Sequence, residues 1–550
     1  MAQRMTGGDA IVQSLLLHGI DTVFAIPGVQ TYALFDALHG VRDRIRVIGP
    51  RHEQTTAYMA FGYAKSTGKV GVYSVVPGPG ILNAGAAMCS AYGASAPLLC
   101  ITGQVPADFI GSGKGHLHEL PDQLATLRTL TKWAARIEHP ADAPGLVAQA
   151  FRELHTGRPR PVALEMPWNT YNQSAPVELV GPPADYPGTP IDTDLVDRAA
   201  TMLQDARNPM ILVGSGAMHA SGEVRALAEL MQAPVVSFRS GRGIVGNDHP
   251  LGFTCAEGFE RWHGTDVLVA IGTRMELEWF RWPDHPPALK VIQIDIDPTQ
   301  AARFKPAIAI VGDSKRATAA LIASAQRAGI VRASRLEEFQ QVKDTVAAQI
   351  QQIQPHVSYL RAIRDAMPRN GILVEEICQA GFTSYYGFPV YEPWTFISCG
   401  HQGTLGFGFP TALGVKVAHP DKPVVALAGD GGFMFGVQDL ATAVQYGINV
   451  VTVLFNNGAY GNVLRDQRRV YEGRVIGAEL RNPDFLKLAD SFGVAASRVT
   501  EPDGLKRAVA AAIDRDAPAL IEVVVDPATE ASPWPFLMPA PRVSGKPIYG

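Results

Sequence analysis

Residues 423–461 read PVVALAGDGGFMFGVQDLATAVQYGINVVTVLFNNGAYG, and this passage restricts the fold more than any other. Pro423 to Ala428 is an apolar run closed by Gly429-Asp430-Gly431, the pattern of a strand buried on both faces of a parallel sheet. Val437, Leu440, Ala441 and Val444 then recur at helical spacing, Gly447 stops the helix, and Val450 to Phe455 predicts the next strand. Such a unit needs a crossover helix covering a parallel sheet, so the chain is α/β. Asp430 and Asn457 fall at the carboxyl ends of the two strands, where open α/β sheets bind ligands. Gly431 and Gly432 are expected to open the helix and to point bare N–H groups into the same crevice. A carboxylate and an amide oxygen beside such a helix end suit Mg²⁺ holding a diphosphate, because Mg²⁺ takes oxygen ligands and shares them with phosphates.

The chain's 550 residues exceed one ordinary core and predict several domains. A hydrophobic content of 47% with 18% charged residues describes a globular protein rather than a disordered one. A formal charge of −4 without a dense Lys/Arg cluster argues against nucleic acid as a partner. No apolar run reaches the roughly 20 residues that cross a bilayer, so no membrane is expected. The first residues, MAQRMTGGDAIVQSLLLHG, are polar where a signal peptide is apolar and predict an amphipathic helix. Cys89, Cys100, Cys255, Cys378 and Cys399 are scattered, as expected of reduced thiols in a cytoplasmic enzyme.

Alternating strand and helix patterns divide the chain into three segments, each expected to form a mainly parallel sheet flanked by helices: 1–170, 190–330 and 355–525. A proline-rich linker, SAPVELVGPPADYPGT, separates the first two, and a charged helix around Leu336–Ile353 leads to the third. Residues 526–550 form a Pro-rich tail. The first and third segments are not repeats by residue identity.

In residues and spacing the Gly429–Asn457 passage resembles the diphosphate-anchoring motif of thiamine-diphosphate enzymes. Arg51-His52-Glu53, after the strand Ile45 to Ile48, is similar to the segment that supplies that family's activating glutamate. Gly78-Pro79-Gly80 with Asn83, and the run ISCGHQGTLGFGFPTALGVKVA, resemble two further family segments. The resemblance covers nearly the whole chain, as pyrimidine-binding, central and diphosphate-binding domains, and is greatest to the acetolactate synthase and 2-oxoacid decarboxylase group.

The resemblance implies thiamine diphosphate and Mg²⁺ as cofactors, with Asp430, Asn457 and the Ala459 carbonyl on the metal. It implies Gly28, Gly78, Asn83, Cys378, Gln379, Gly403, Leu405, Gly431, Gly432, Tyr460 and Gly461 around the cofactor. Leu405 would wedge the cofactor into a bend, and the Gly403 carbonyl would accept from its amino group. In the family a glutamate, here Glu53, hydrogen-bonds the aminopyrimidine and favours its imino tautomer, which takes the C2 proton. The glutamate of one subunit meets the diphosphate site of another, which implies a homodimer or a homotetramer.

Gln30, His118 and Asn462 are the candidate substrate-facing residues. Acetolactate synthases resembling this chain carry Gln at the place of His118, Met at that of Asn462 and Trp at that of Asp466, so ordinary acetolactate synthesis is not expected. In the central segment, ILVGSGAMHAS places Gly214 and Gly216 after a strand, with His219 where a third glycine would complete a dinucleotide fingerprint. FAD, ADP or no ligand is expected there; Arg242 and Arg274 stand at positions resembling FAD contacts, with plain salt bridges as the alternative for each. Three function classes stay open. One is a lyase, carboligase or decarboxylase of a small 2-oxoacid, aldehyde or 2-hydroxyketone. Another is an acyl-CoA enzyme of the oxalyl-CoA decarboxylase or 2-hydroxyacyl-CoA lyase type, with the tail as a lid. The third is a catalytically silent homologue.

Overall fold

The computed structural model describes residues 2–541, and the end of the expected tail, 542–550, lies outside the described residues. Three six-stranded sheets form the scaffold. The first runs in space Arg46–Ile48, Thr22–Ala25, Gly71–Val75, Leu98–Gln104, Val162–Pro167, Trp133–Arg136, with every pairing parallel. The second runs Gly252–Thr254, Val235–Ser237, Pro209–Val213, Val267–Ile271, Lys290–Asp295, Ile308–Val311, again parallel throughout. The third runs Phe396–Ile397, Ile372–Val374, Val424–Gly429, Val450–Asn456, Ala519–Val524, Ala495–Val499, likewise all parallel.

Counted in chain order within each sheet, the first and third share the strand order 2-1-3-4-6-5, while the second is 3-2-1-4-5-6. The outer two thus share a topology that their residue identities do not reveal. Strands buried on both faces need only apolar side chains, so many sequences satisfy one topology. Gln3–Thr6 pairs antiparallel with Ser174–Val177, so the expected amphipathic helix starts only at Gly7 and runs to Leu17.

Residues 423–461 fold as strand Val424–Gly429, helix Leu440–Tyr446 and strand Val450–Asn456, with Gly447 left-handed at φ 60°. One expectation is corrected. Gly431 and Gly432 do not open the amphipathic helix; they sit in a single turn, Asp430–Phe433, followed by a 3₁₀ turn at Val437–Asp439. Glycine-rich backbone gains little from continuing a helix. Here a Cβ on Gly432 would crowd the Glu376 carboxylate, 3.1 Å away.

The first and third domains meet through helices Glu53–Thr67 and Gly408–Ala418. A Cβ on Gly62 would overlap the Thr411 carbonyl and one on Gly414 the Met59 carbonyl, so paired glycines let the backbones touch. Around this crossing, Asp439 accepts from the Arg51 N–H at 2.7 Å and the Thr55 hydroxyl at 2.5 Å.

Candidate functional site

Parallel pairing sets Gly429 beside Phe455, so Asp430 and Asn457 leave neighbouring strand ends. Asp430 is 2% exposed, and burial raises its carboxyl above the ordinary range against the opposing Asn482 amide. Asn482 Nδ2 donates to Asp430 Oδ2 at 2.6 Å and to Asn456 Oδ1 at 2.9 Å, tying both strand ends together. Asn457 Oδ1 accepts the Ala459 N–H at 3.2 Å. These groups open on a cavity of about 360 Å³ between the strand Ile372–Val374 and the strand Val424–Gly429. There the strand order reverses, the position at which open α/β sheets take ligands.

The cavity brings together Cys378, Gln379, Leu405, Asp430, Gly431, Gly432, Asn457, Ala459, Tyr460, Gly461 and Asn462 from the sequence expectations. Gly403 is not among its lining residues; it lies two positions before Leu405 in a left-handed conformation at φ 59°. Cys378 caps the helix Gln379–Gly387, its sulfur accepting the Gly381 N–H, and burial pushes its thiol well up.

The donor set fits a hard cation. Asp430 and Asn457 present oxygen ligands beside the Ala459 backbone. Among the described residues no cluster of three or more His, Cys, Asp and Glu could hold a metal. A cation here would therefore complete its shell with ligand oxygens and water, as Mg²⁺ does with phosphates. The glycines leave the backbone bare toward the cavity, and a Cβ on Gly461 would meet Asn457 Nδ2 at 2.6 Å.

A second cluster lies on the first domain, outside that cavity. Glu53 is the first residue of the helix Glu53–Thr67, and its Oε2 accepts from Asn83 Nδ2 at 3.0 Å. Gln30 is fully buried and donates to the Leu117 carbonyl at 3.1 Å, while its Oε1 lies 3.1 Å from His118 Nδ1. Gln30 and His118 thus partner each other, leaving fewer free donors than expected. Gly78, at φ 59°, gives its N–H to Gln123 Oε1, and a Cβ there would strike the His118 carbonyl at 2.6 Å. Gly28 packs against the Val76 side chain.

Several site residues escaped the sequence. Glu376 is fully buried, with its carboxyl raised to about 7 by desolvation. It accepts the N–H groups of Gly406 (3.1 Å), Phe407 (3.3 Å) and Gly408 (2.9 Å), which fixes the turn carrying Leu405. Asn462 Oδ1 accepts from Trp534 Nε1 at 2.7 Å and also from Arg465, whose other nitrogen reaches Gln379 Oε1 at 3.2 Å. His356 and Glu530 line the cavity too. These partners lie in other segments, and nothing local in the sequence marks Asn482, Glu530 or His356 as neighbours of Asp430 and Asn457.

A larger groove of about 580 Å³ lies where the central sheet meets the first and third domains. Gly214, Gly216, Gly272, Arg239, Arg274, Asp295 and His401 are among its lining residues. It includes the switch between strands Pro209–Val213 and Val267–Ile271. A Cβ on Gly214 would meet the Gly272 carbonyl at 2.5 Å, so close packing of two strand-end loops already accounts for that glycine. His219 bonds Asp313 at 2.8 Å. Arg274 faces His401 Nδ1 at 2.9 Å, and burial with that guanidinium depresses the imidazole to about 4. Arg242 follows the structural alternative, through hydrogen bonds in place of a salt bridge. It is fully buried and donates to the carbonyls of Ser384, Tyr385 and Phe388 and to Asn247, so it ties the central domain to the third and lies outside the groove's lining.

The comparisons agree with this architecture. Residues 5–126 match the thiamine pyrophosphate enzyme N-terminal TPP binding domain, 196–321 the central domain and 377–523 the C-terminal TPP binding domain. The chain belongs to the thiamine pyrophosphate enzyme family. It is 33% identical over 529 residues to a probable 2-ketoarginine decarboxylase of Pseudomonas aeruginosa, covering 94% of each chain. It is 33% identical over 565 residues to a probable acetolactate synthase large subunit of Methanocaldococcus jannaschii, covering 96% of this chain and 93% of that one. The acetolactate synthase large subunit of Haemophilus influenzae is 32% identical over 528 residues, covering 92% and 91%. The protein is thus a thiamine-pyrophosphate enzyme similar to acetolactate synthases and a 2-oxoacid decarboxylase. Among the described residues no helix is long and apolar enough to cross a membrane.

Proposed function

We propose that this enzyme decarboxylates or ligates a small 2-oxoacid, using thiamine diphosphate anchored through Mg²⁺ by Asp430, Asn457 and the Ala459 carbonyl. The observation that carries the reading is the convergence of Asp430 and Asn457 on one cavity at the switch point of the third sheet. When bound, the cofactor supplies a stabilised carbanion that adds to the substrate carbonyl. The protein's own part is positioning. Asp430 and Asn457 fix one end, Glu376 holds the turn that presents Leu405, and Glu53 supplies a carboxylate for the pyrimidine of a cofactor held by a partner subunit.

The substrate would approach Gln379 and Asn462, both in the cavity wall, from the side of Gln30 and His118 on the other subunit. Asn462 is already tied to Trp534 and Arg465, a polar set that disfavours a purely apolar acceptor. The three relatives named above are acetolactate synthases and a decarboxylase, which favours free oxoacids over acyl-CoA thioesters. FAD or ADP would lie in the central groove, where Arg274 and Asp295 offer charge and hydrogen bonds.

Incubating the enzyme with Mg²⁺, thiamine diphosphate and a panel of 2-oxoacids (2-ketoarginine and pyruvate included), aldehydes and acyl-CoA thioesters, with products followed by mass spectrometry, tests the reaction. Decarboxylation or ligation of a free oxoacid other than pyruvate alone is expected. Turnover confined to thioesters, or acetolactate from pyruvate as fast as the best other product, would overturn it. The anchor is tested separately. Asp430→Ala should abolish Mg²⁺-dependent retention of thiamine diphosphate in calorimetry, and undiminished binding would remove Asp430 from the site.

A further inference from the structure

Glu530 follows the last strand of the third sheet and belongs to no helix or strand, yet its side chain is only 6% exposed. Burying a carboxylate this far is costly unless hydrogen bonds answer its oxygens. Here Oε2 accepts from Asn457 Nδ2 at 2.7 Å and Oε1 lies 3.0 Å from Nε2 of the fully buried His356. With Oε2 accepting from Nδ2, Glu530 holds the NH₂ end of the Asn457 amide and leaves Oδ1 turned the other way. Oδ1 is the atom a hard cation would use.

The segment around Glu530 is fastened to the walls of the same cavity. The Ala531 N–H donates to the Gln354 carbonyl at 2.9 Å, next to His356. The Trp534 ring lies 5.2 Å from that of Phe382, and the Tyr386 hydroxyl donates to the Pro533 carbonyl at 3.3 Å. Through Trp534 and Asn462 the same segment also touches the polar wall.

We propose that Glu530 is a positioning residue for the metal-binding end of the site, and that docking of residues 526–541 and retention of the cofactor are coupled through it. This rests on the reading of Asp430 and Asn457 as the anchor. A segment that orients Asn457 only when docked favours cofactor binding. By reciprocity a bound cofactor favours the docked segment. His356 acts one step further out, holding the carboxylate in place.

The test is Mg²⁺-dependent binding of thiamine diphosphate to Glu530→Ala and Glu530→Gln, by calorimetry, with circular dichroism and melting temperature as folding controls. Glu530→Ala should weaken binding roughly tenfold or more, the usual scale for removing a group that orients a metal ligand. Glu530→Gln keeps an acceptor for Asn457 and should recover most of it. A second measurement needs no variant: Mg²⁺ with thiamine diphosphate should protect wild-type protein from chymotrypsin at Phe536, which Leu537 follows, more than either component alone. Equal affinities of wild type and a folded Glu530→Ala, or cleavage unaffected by the cofactor, would overturn the proposal. Loss of binding in Asp430→Ala alongside full binding in Glu530→Ala would sink this inference alone, whereas full binding in Asp430→Ala would sink the anchor beneath it.

Discussion

Glu53 shows what a single residue carries in this enzyme. Its carboxylate holds one hydrogen bond from Asn83 at the first position of a helix, and Gln can accept the same bond. Glu53→Gln should therefore fold and bind thiamine diphosphate as the wild type does. The amide lacks the carboxylate's preference for the imino tautomer, so exchange of the C2 proton should slow by at least about 10²-fold, the usual contribution of acid–base catalysis. Acid-quenched NMR of hydrogen–deuterium exchange measures it, and wild-type exchange in the variant would assign activation to another base. The placement of Asp430 and Asn457 at neighbouring strand ends was legible from the local pattern, whereas Glu53, at a helix start, was singled out by family resemblance alone. Glu530 and His356 were marked by neither: they lie 174 positions apart in the chain and meet only after folding. A glutamate in a Pro-rich tail carries no local mark of burial.

At the scale of elements, the sequence was most informative where strands are buried on both faces. Val424–Gly429, Val267–Ile271 and Val450–Asn456 are near-continuous apolar runs, and apolar runs bounded by glycine or acid mark parallel strands directly. The turn at Gly431 and Gly432 stands apart from the helix Leu440–Tyr446 because those glycines answer to neighbours distant in sequence, Tyr460 and Glu376, which no local pattern reveals. The same cause hides the crossing of helices Glu53–Thr67 and Gly408–Ala418, where Gly62 and Gly414 admit the opposite backbone. Gly414→Ala would place a methyl group on the Met59 carbonyl, with backbone rather than a flexible side chain in the way. It should destabilise the protein by about 1–3 kcal/mol or more, through the strain of overpacking. Its melting temperature, followed by circular dichroism, should fall below that of wild type. A Gly414→Ala melting temperature equal to wild type would show that the helices can slide apart freely.

The whole molecule poses the question of where a complete site exists. Within one chain the Asp430 cavity is lined by residues of the third domain and the segment that follows it, and Glu53, Gln30 and His118 stand outside it. Large apolar side chains remain exposed on both sides of this division: Tyr32 at 58%, Leu82 at 53% and Leu117 at 56% on the first domain, Phe435 at 49% and Val463 at 49% on the third. Exposed apolar side chains of this size are available for a contact surface. A two-fold dimer would place each first-domain set against the partner's third domain and bury both. The arrangement predicts complementation between two inactive variants. A dimer of one Glu53→Gln chain and one Asp430→Ala chain has one site with both lesions and one with neither. Random exchange of equal amounts makes half the dimers mixed, and half of their sites are intact, so activity should return to about one quarter of the wild-type value. A site built within one chain would always keep a lesion and recover nothing. Native mass spectrometry of the mixture shows whether chains have exchanged, so silence in a fully exchanged sample would place Glu53 and Asp430 of the same chain in one site and break the shared-site reading.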